Sequence, residues 1–154
     1  DKYKINPTSI EIEITETSLV ETDELSISIL KEIRSLGISL ALDDFGTGYT
    51  AFNQLIHYPV DCLKIDKSFV DDLMSSTDSR KTMIKAMLSI AKAYNLKTIA
   101  EGIETFGQYQ YLAERGCDMM QGYLLSKPIE WDALVRLCNE PSANRLAMLA
   151  QQAE

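Results

Sequence analysis

Several ionisable residues stand near the ends of short aliphatic runs in this sequence. Asp43 and Asp44 end one such run, and Glu13, Lys64 and Glu101 stand near the ends of three others. Converging carboxylates repel each other unless a cation lies between them, and oxygen ligands without grouped histidine or cysteine favour Mg²⁺ or Mn²⁺ over zinc. Two such ions can hold a phosphodiester and activate water for its cleavage. The residues therefore predict an oxygen-rich site for two divalent ions.

Lys64 and Glu101 are the candidate catalytic residues of this site. Lys64 could orient the attacking water or neutralise phosphoryl oxygens, and Glu101 could act as general base or as a metal ligand. A glycine-rich turn that permits close backbone approach follows the two aspartates, and it comprises Phe45, Gly46, Thr47 and Gly48. Any one acid alone is more often solvated or ion-paired, so the prediction depends on the whole set.

Predicted strands and helices alternate along the chain. Strands are expected at 10–16, from residue 40, and at 60–66, 97–101 and 119–124. The first helix has apolar residues at helical spacing, namely Leu25, Ile29, Ile33 and Leu36, and Gly37 is placed to end it. Later helices are expected through Phe52 and Leu55, at 82–94, 106–115 and 131–139, and in the tail after Pro141. Because parallel neighbours need a crossover helix, this order predicts a parallel sheet with helices outside it.

Two architectures fit this order, a doubly wound sheet and a closed β/α barrel. A doubly wound sheet usually shows glycines after its first strand, whereas a barrel places functional residues at the ends of successive strands. Alternation along each strand sets one polar residue apart from its aliphatic neighbours, and these residues are Glu13, Asp43, Lys64, Glu101 and Gln121. The sequence therefore favours a (β/α)8 TIM-type barrel, of which it supplies about five units. Since such barrels have about 250 residues, three units would lie upstream.

Composition narrows the classes of partner. The 154 residues carry a formal charge of -8, which argues against a DNA- or RNA-binding surface of lysine and arginine. No apolar run is long enough to span a bilayer, and the three cysteines have no Cys-x-x-Cys spacing. We expect a cytoplasmic location, with a membrane tether elsewhere in the full-length protein left open.

Five segments, in order, resemble the signatures of the bacterial EAL domains. These domains are phosphodiesterases that hydrolyse cyclic di-GMP to linear pGpG on a modified β/α barrel. The matching segments are 13–16, 43–49, 64–66, 100–104 and 121–123. The resemblance implies an EAL region over 1–140, followed by a C-terminal helix or tail over 141–154. It further implies cyclic di-GMP as substrate, a homodimer, and fused sensory or GGDEF-type domains upstream.

Site roles are also implied by the resemblance. Glu13, Asp43 and Asp44 would ligate two Mg²⁺ or Mn²⁺ ions, with Asp43 as the bridge, while Lys64 and Glu101 handle the attacking water. Further residues with implied roles are Glu16, which would brace the turn after Asp44, Glu104, which would lie near the ligand, and Gln121, which would support the water or metal shell. The choice between the two metals stays open.

The Glu-Ala-Leu motif that names the family is absent from these residues, as is an expected asparagine ligand. The chain thus looks like the C-terminal three-fifths of the domain, so we expect an active parent protein and little or no turnover by this piece alone. Two alternatives remain. One is a catalytically silent domain that binds cyclic di-GMP or acts as a scaffold, and the other is a structural fragment that associates with its own copy.

Overall fold

A computed structural model describes residues 4–20, 24–47, 55–71, 73–74 and 78–139. Five parallel strands pair in the order of the chain to form one sheet. The strands are β1 (Glu11–Thr15), β2 (Ser39–Phe45), β3 (Cys62–Ile65), β4 (Lys97–Ala100) and β5 (Met119–Met120). Sequential parallel order with helical crossovers is the arrangement of a partial TIM-type barrel, so the predicted fold class is confirmed.

Helices connect the strands. They are α1 (Glu16–Val20), α2 (Glu24–Ser35), α3 (Lys67–Val70), α4 (Asp78–Ala93), α5 (Phe106–Ala113) and α6 (Trp131–Asn139), with short 3₁₀ turns at Pro7–Ser9 and Leu55–His57. α2 ends as predicted before Gly37, whose φ of +91° is a conformation that glycine adopts readily. None of these described helices is long and apolar enough to cross a membrane.

The core lies between the central strands and the helices. Leu63 and Ile65 of β3 are fully buried, and α4 packs against them with its buried residues Ile84, Met87 and Ala91. By contrast, Leu25 on α2 and Leu36 just after it are largely exposed, although the predicted apolar stripe suggested a buried face. α2 contacts β2, and Leu30 and Ile33 pack against the core, so only part of the apolar stripe is covered.

The fifth strand is shorter than predicted, because β5 ends at Met120 rather than at residue 124. Ile103 N–H donates to the carbonyl of Gln121 at 3.0 Å, and Leu124 N–H donates to the carbonyl of Ile103 at 2.9 Å. Leu125 N–H then donates back to the carbonyl of Gly122, which turns the chain. A Cβ at Gly122 would overlap the backbone of Ile103, so the glycine allows this close approach.

Two aspartates fasten the amino ends of the strands. The Asp61 carboxylate accepts a hydrogen bond from Leu40 N–H at 3.1 Å and pairs with Arg34 at 2.7 Å. The Asp118 carboxylate accepts hydrogen bonds from the backbone N–H and the hydroxyl of Thr98, at 2.8 and 2.7 Å. Both contacts cross between neighbouring strand segments at the edge opposite the predicted site.

Some sequence-based expectations fall outside the described residues. These are the short helix around Phe52, the tail helix after Pro141, and Gly48 of the glycine-rich turn. α3 was not predicted from the sequence. Asp66 caps its N-terminus by accepting a hydrogen bond from Ser68 N–H at 3.0 Å.

Candidate functional site

The Lys64 ammonium group lies among carboxylates from three other strand ends. Its Nζ is 2.6 Å from Glu13 Oε1, 3.0 Å from Asp43 Oδ1 and 2.8 Å from Glu101 Oε1. The Lys64 side chain is only 5% exposed, whereas that of Glu13 is 51% exposed. The structure therefore brings together four of the residues that the sequence singled out. We call Glu13, Asp43, Lys64 and Glu101 the lysine–carboxylate cluster.

Strand alternation explains the position of Lys64. Leu63 and Ile65 pack into the hydrophobic core, and Lys64, which lies between them on β3, points to the opposite face. Burial lowers the pKa of Lys64, but its hydrogen bonds to the carboxylates, with Glu101 first, outweigh burial and raise the pKa above its ordinary value. Lys64 is therefore a fixed positive charge at neutral pH.

Asp44 follows Asp43 at the end of β2. Its φ of +55° lies in the left-handed region, which aspartate tolerates better than most residues. The Thr47 hydroxyl donates to the Asp44 carbonyl at 2.8 Å and supports this turn. Burial raises the pKa of the Asp44 carboxyl, and the negative charges of Asp43 and Asp66 raise it further. A cation beside Asp44 would reverse this effect.

The turn after the aspartates is tied to α1. Gly46 N–H donates to Oε2 of Glu16 at 2.9 Å, and Glu16 is almost completely buried. Gly46 has a φ of +96°, and a Cβ there would overlap Met87 of α4 and approach Phe69 of α3. Phe45 is buried in the core. The turn is therefore held by α1 on one side and packed closely on the other.

The loop after β4 has its own anchor. Glu104 pairs with Lys67 through Oε1 and Nζ at 2.6 Å, so its carboxylate is bound to a different lysine from that of the cluster. The buried Gln108 side chain accepts hydrogen bonds from the backbone N–H groups of Glu104 and Thr105, both at 2.9 Å, and donates to the carbonyl of Val70 at 2.9 Å. Sequence reasoning missed Lys67 and Gln108. The capping-box pattern, threonine followed three residues later by glutamine, could have identified Gln108.

Gln121 is the remaining predicted site residue. It comes directly after β5, its side chain is exposed, and its backbone N–H donates to the carbonyl of Ala100 at 2.9 Å. Its side chain makes no recorded hydrogen bond to the lysine–carboxylate cluster within the described residues. The structure thus places Gln121 at the predicted edge of the sheet without joining it to the cluster.

The carboxylate oxygens of the cluster can be compared with the ligands that a divalent ion prefers. Asp43 Oδ1 is buried and, among the described residues, has no hydrogen-bond partner of good geometry, although Lys64 Nζ lies 3.0 Å away. An unsatisfied carboxylate oxygen beside other carboxylates suits a hard cation such as Mg²⁺ or Mn²⁺. In the part of the chain that the structure describes, no three acidic, histidine or cysteine side chains are already arranged closely enough to hold a metal ion together. The ligand chemistry therefore fits, while the ammonium group occupies the space between the carboxylates.

A cleft of about 860 Å³ lies elsewhere, between α4 and the segment that follows α5. It contains Thr98 and Asp118, which mark the amino ends of β4 and β5. The lysine–carboxylate cluster is at the carboxyl ends, where parallel β/α barrels carry their active sites. We therefore place the candidate site at the cluster rather than at this cleft.

Parallel β/α order with ionisable residues at the carboxyl ends of the strands defines a barrel-type domain with its site at that rim. The EAL domain profile matches residues 1–128, and this chain belongs to the EAL domain family.

Curated relatives match the same region. The chain is 39% identical over 120 residues to "Cyclic di-GMP phosphodiesterase PdeR" of Escherichia coli K12. The matched region covers 78% of this chain and 18% of PdeR. It is 40% identical over 125 residues to "Cyclic di-GMP phosphodiesterase NbdA" of Pseudomonas aeruginosa, covering 81% of this chain and 16% of NbdA. P. aeruginosa MucR, named a bifunctional diguanylate cyclase/cyclic di-GMP phosphodiesterase, is 32% identical over 134 residues, or 87% of this chain and 19% of MucR. The chain thus spans less than a fifth of each of these three relatives.

Solved structures agree with this assignment. The PaMucR phosphodiesterase in complex with c-di-GMP superposes with a TM-score of 0.81 at 32% identity, covering 86% of this chain and 53% of that one. The manganese/cy-diGMP complex of Klebsiella pneumoniae BlrP1 superposes with a TM-score of 0.74 at 29% identity, covering 80% of this chain and 31% of that one. The bound c-di-GMP and manganese are properties of these related proteins.

Proposed function

We propose that the protein containing this chain hydrolyses cyclic di-GMP to linear pGpG with divalent metal ions. The observation that carries the proposal is the lysine–carboxylate cluster, in which the Lys64 ammonium group lies within 3.0 Å of three carboxylate oxygens. Relatives named cyclic di-GMP phosphodiesterases and the manganese/cy-diGMP complex of BlrP1 support the choice of substrate and metal.

Each residue of the site has a proposed role. Glu13, Asp43 and Asp44 would hold two Mg²⁺ or Mn²⁺ ions, with Asp43 between them. Ions bound there would neutralise phosphate charge and acidify water. Glu101, with a side chain 20% exposed, would accept the proton of the attacking water, and Lys64 would donate a hydrogen bond to a phosphoryl oxygen.

The surrounding residues would support this arrangement. Glu16 holds the turn after Asp44 through Gly46 N–H, which limits the positions that the aspartates can take. Glu104, paired with Lys67, would lie near the bound dinucleotide, and Gln121 would support the water or metal shell. We assign these roles from the position of each residue along the order of the strands.

Further properties of the whole protein are part of the proposal. We expect it to form a homodimer and to carry sensory or GGDEF-type domains, since the relative MucR is named a bifunctional diguanylate cyclase and phosphodiesterase. We expect the EAL region to include 1–140, with 141–154 as a tail. The 154-residue chain alone should turn over little or no substrate, because it lacks the Glu-Ala-Leu ligand.

The test is a hydrolysis assay of the full-length protein with cyclic di-GMP, with pGpG followed by chromatography. Product should require Mg²⁺ or Mn²⁺ and disappear with EDTA. Glu101→Gln should lower kcat by about 100-fold or more, as expected for loss of a general base. Glu32→Gln, an exposed site on α2, is the matched control and should leave kcat unchanged.

Other outcomes select other functions. Tight binding of cyclic di-GMP without pGpG formation would favour a silent receptor or scaffold. Failure to bind would reject both proposals. Clear metal-dependent hydrolysis by the 154-residue chain alone would refute the expected inactivity of that chain, and its sedimentation as a monomer would exclude a self-associating fragment.

A further inference from the structure

We propose that Lys64 is an exchangeable counter-ion. Its ammonium group holds Glu13, Asp43 and Glu101 together in the metal-free protein, and it leaves this position when a divalent cation binds. The inference rests on the proposed metal site. It goes further by giving Lys64 a role before any substrate is bound.

The charges of the cluster call for a cation at all times. Three carboxylates approach the Lys64 ammonium group, and Asp44, which interacts electrostatically with Asp43 and Lys64, adds a fourth negative charge. Without a cation these groups would repel each other, and the partly buried Asp43 and Glu101 would lose the most because water screens them least. Lys64 therefore stabilises the ligand arrangement that a metal would later use.

The contacts of Lys64 also allow a divalent ion to replace its ammonium group. Glu13 is half exposed, so water can replace its contact with the ammonium group at small cost. Asp43 Oδ1 lies 3.0 Å from Nζ, yet among the described residues it has no hydrogen-bond partner of good geometry. This oxygen is thus the point at which a divalent ion can compete most effectively with the ammonium group.

The lysine side chain permits the movement. The backbone of Lys64 is fixed in β3 between two fully buried neighbours, while four methylene groups separate it from Nζ. Rotation of the side chain can therefore move the charge away from the carboxylates without moving the strand. A divalent ion among the same oxygens would repel the ammonium group and favour that rotation.

Metal affinity gives the direct test. Mn²⁺ binding to the full-length protein is measured by calorimetry at constant ionic strength for wild type, Lys64→Met and Lys31→Met. Lys31 is exposed on α2, so the control removes the same charge far from the site. Because removing the ammonium group removes a competing cation, Lys64→Met should bind Mn²⁺ at least about tenfold more tightly than wild type, and Lys31→Met should not.

Thermal unfolding gives a second readout. Lys64→Met should unfold at a lower temperature than wild type without metal, and saturating Mn²⁺ should raise its unfolding temperature by more than it raises that of wild type. Equal or weaker Mn²⁺ binding by Lys64→Met, while wild type binds normally, would overturn the counter-ion role and leave the metal site standing. No Mn²⁺ binding by wild type would overturn the metal site and this inference together.

A measurement on wild type covers the case in which Lys64→Met does not fold. The Lys64 ammonium resonance in ¹⁵N NMR spectra should be visible without metal, because ion pairing slows its hydrogen exchange. Titration with diamagnetic Mg²⁺ should shift this resonance strongly. An unchanged Lys64 resonance at Mg²⁺ saturation would contradict the inference.

Discussion

Gly46 N–H donates a hydrogen bond of 2.9 Å to the carboxylate of Glu16, across 30 residues of sequence. The acceptor is 2% exposed, and the donor belongs to the turn that follows the two site aspartates. A buried charge at the start of α1 thus fixes the backbone at the end of β2. The first prediction follows from this contact.

Glu16→Gln keeps the shape of the side chain and removes its charge. Because hydrogen bonds to charged groups are worth about 1.5–3 kcal/mol, we expect the free energy of unfolding to fall by about 2 kcal/mol. The proposed phosphodiesterase activity should fall as well, since the aspartates would lose a fixed turn. Urea denaturation and initial rates measure the two effects, and Glu32→Gln on exposed α2 should change neither.

Gly122→Ala tests the close packing after β5. A Cβ at this position would overlap the backbone N and O of Ile103, so the chain must shift, and we expect a loss of roughly 3 kcal/mol or more. Gly116→Ala is the matched control. Gly116 has a φ of +78° with no atom within 4 Å of the added Cβ, so only backbone strain of about 1–2 kcal/mol is expected. Equal losses in the two variants would argue against the close contact.

Gln108→Leu tests the anchor of the loop after β4. The substitution leaves the N–H groups of Glu104 and Thr105 without this acceptor and the carbonyl of Val70 without this donor, so we expect a loss of about 2–4 kcal/mol. KM for cyclic di-GMP should rise as well, because Glu104 would lose its position. Gln110→Leu on the exposed face of α5 should cost less than about 1 kcal/mol and leave KM unchanged.

Cys62 gives a prediction for alkaline pH. Burial raises the pKa of its thiol from 9.0 to about 11, so the folded protein keeps the proton that the unfolded chain releases. This contribution to stability is complete below pH 9 and is lost as the pH rises through 11. The difference in unfolding free energy between wild type and Cys62→Ala should therefore shrink by roughly 2 kcal/mol between pH 8 and pH 11. Cys138→Ala, which removes an exposed thiol, is the matched control variant.

Sequence patterns were sufficient for the parallel order and for the residues that meet at the site. Alternation along β3 sets Lys64 apart from Leu63 and Ile65, and the structure places it on the opposite face, as expected. Gly37 and Gly116 end their helices where the pattern predicted, because positive φ angles are accessible to glycine. Each of these features depends on residues that are close together in the sequence.

Other features depend on contacts that are distant in sequence. The shortening of β5 results from hydrogen bonds between Ile103 and residues 121 and 124, which no local pattern encodes. The pairing of Glu104 with Lys67 joins residues 37 positions apart. Apolar spacing alone could not show that Leu25 would remain exposed, since burial depends on what lies against the helix.

Asp61 and Asp118 fasten the rim of the sheet that lies opposite the candidate site. Each fastens neighbouring strand segments at the amino ends, while the ionisable residues of the candidate site stand at the carboxyl ends. Laboratory evolution could therefore randomise the carboxyl rim to seek new substrates while these two fastenings preserve the scaffold. The same separation would let natural descendants of the domain exchange catalysis for sensing without rebuilding the barrel.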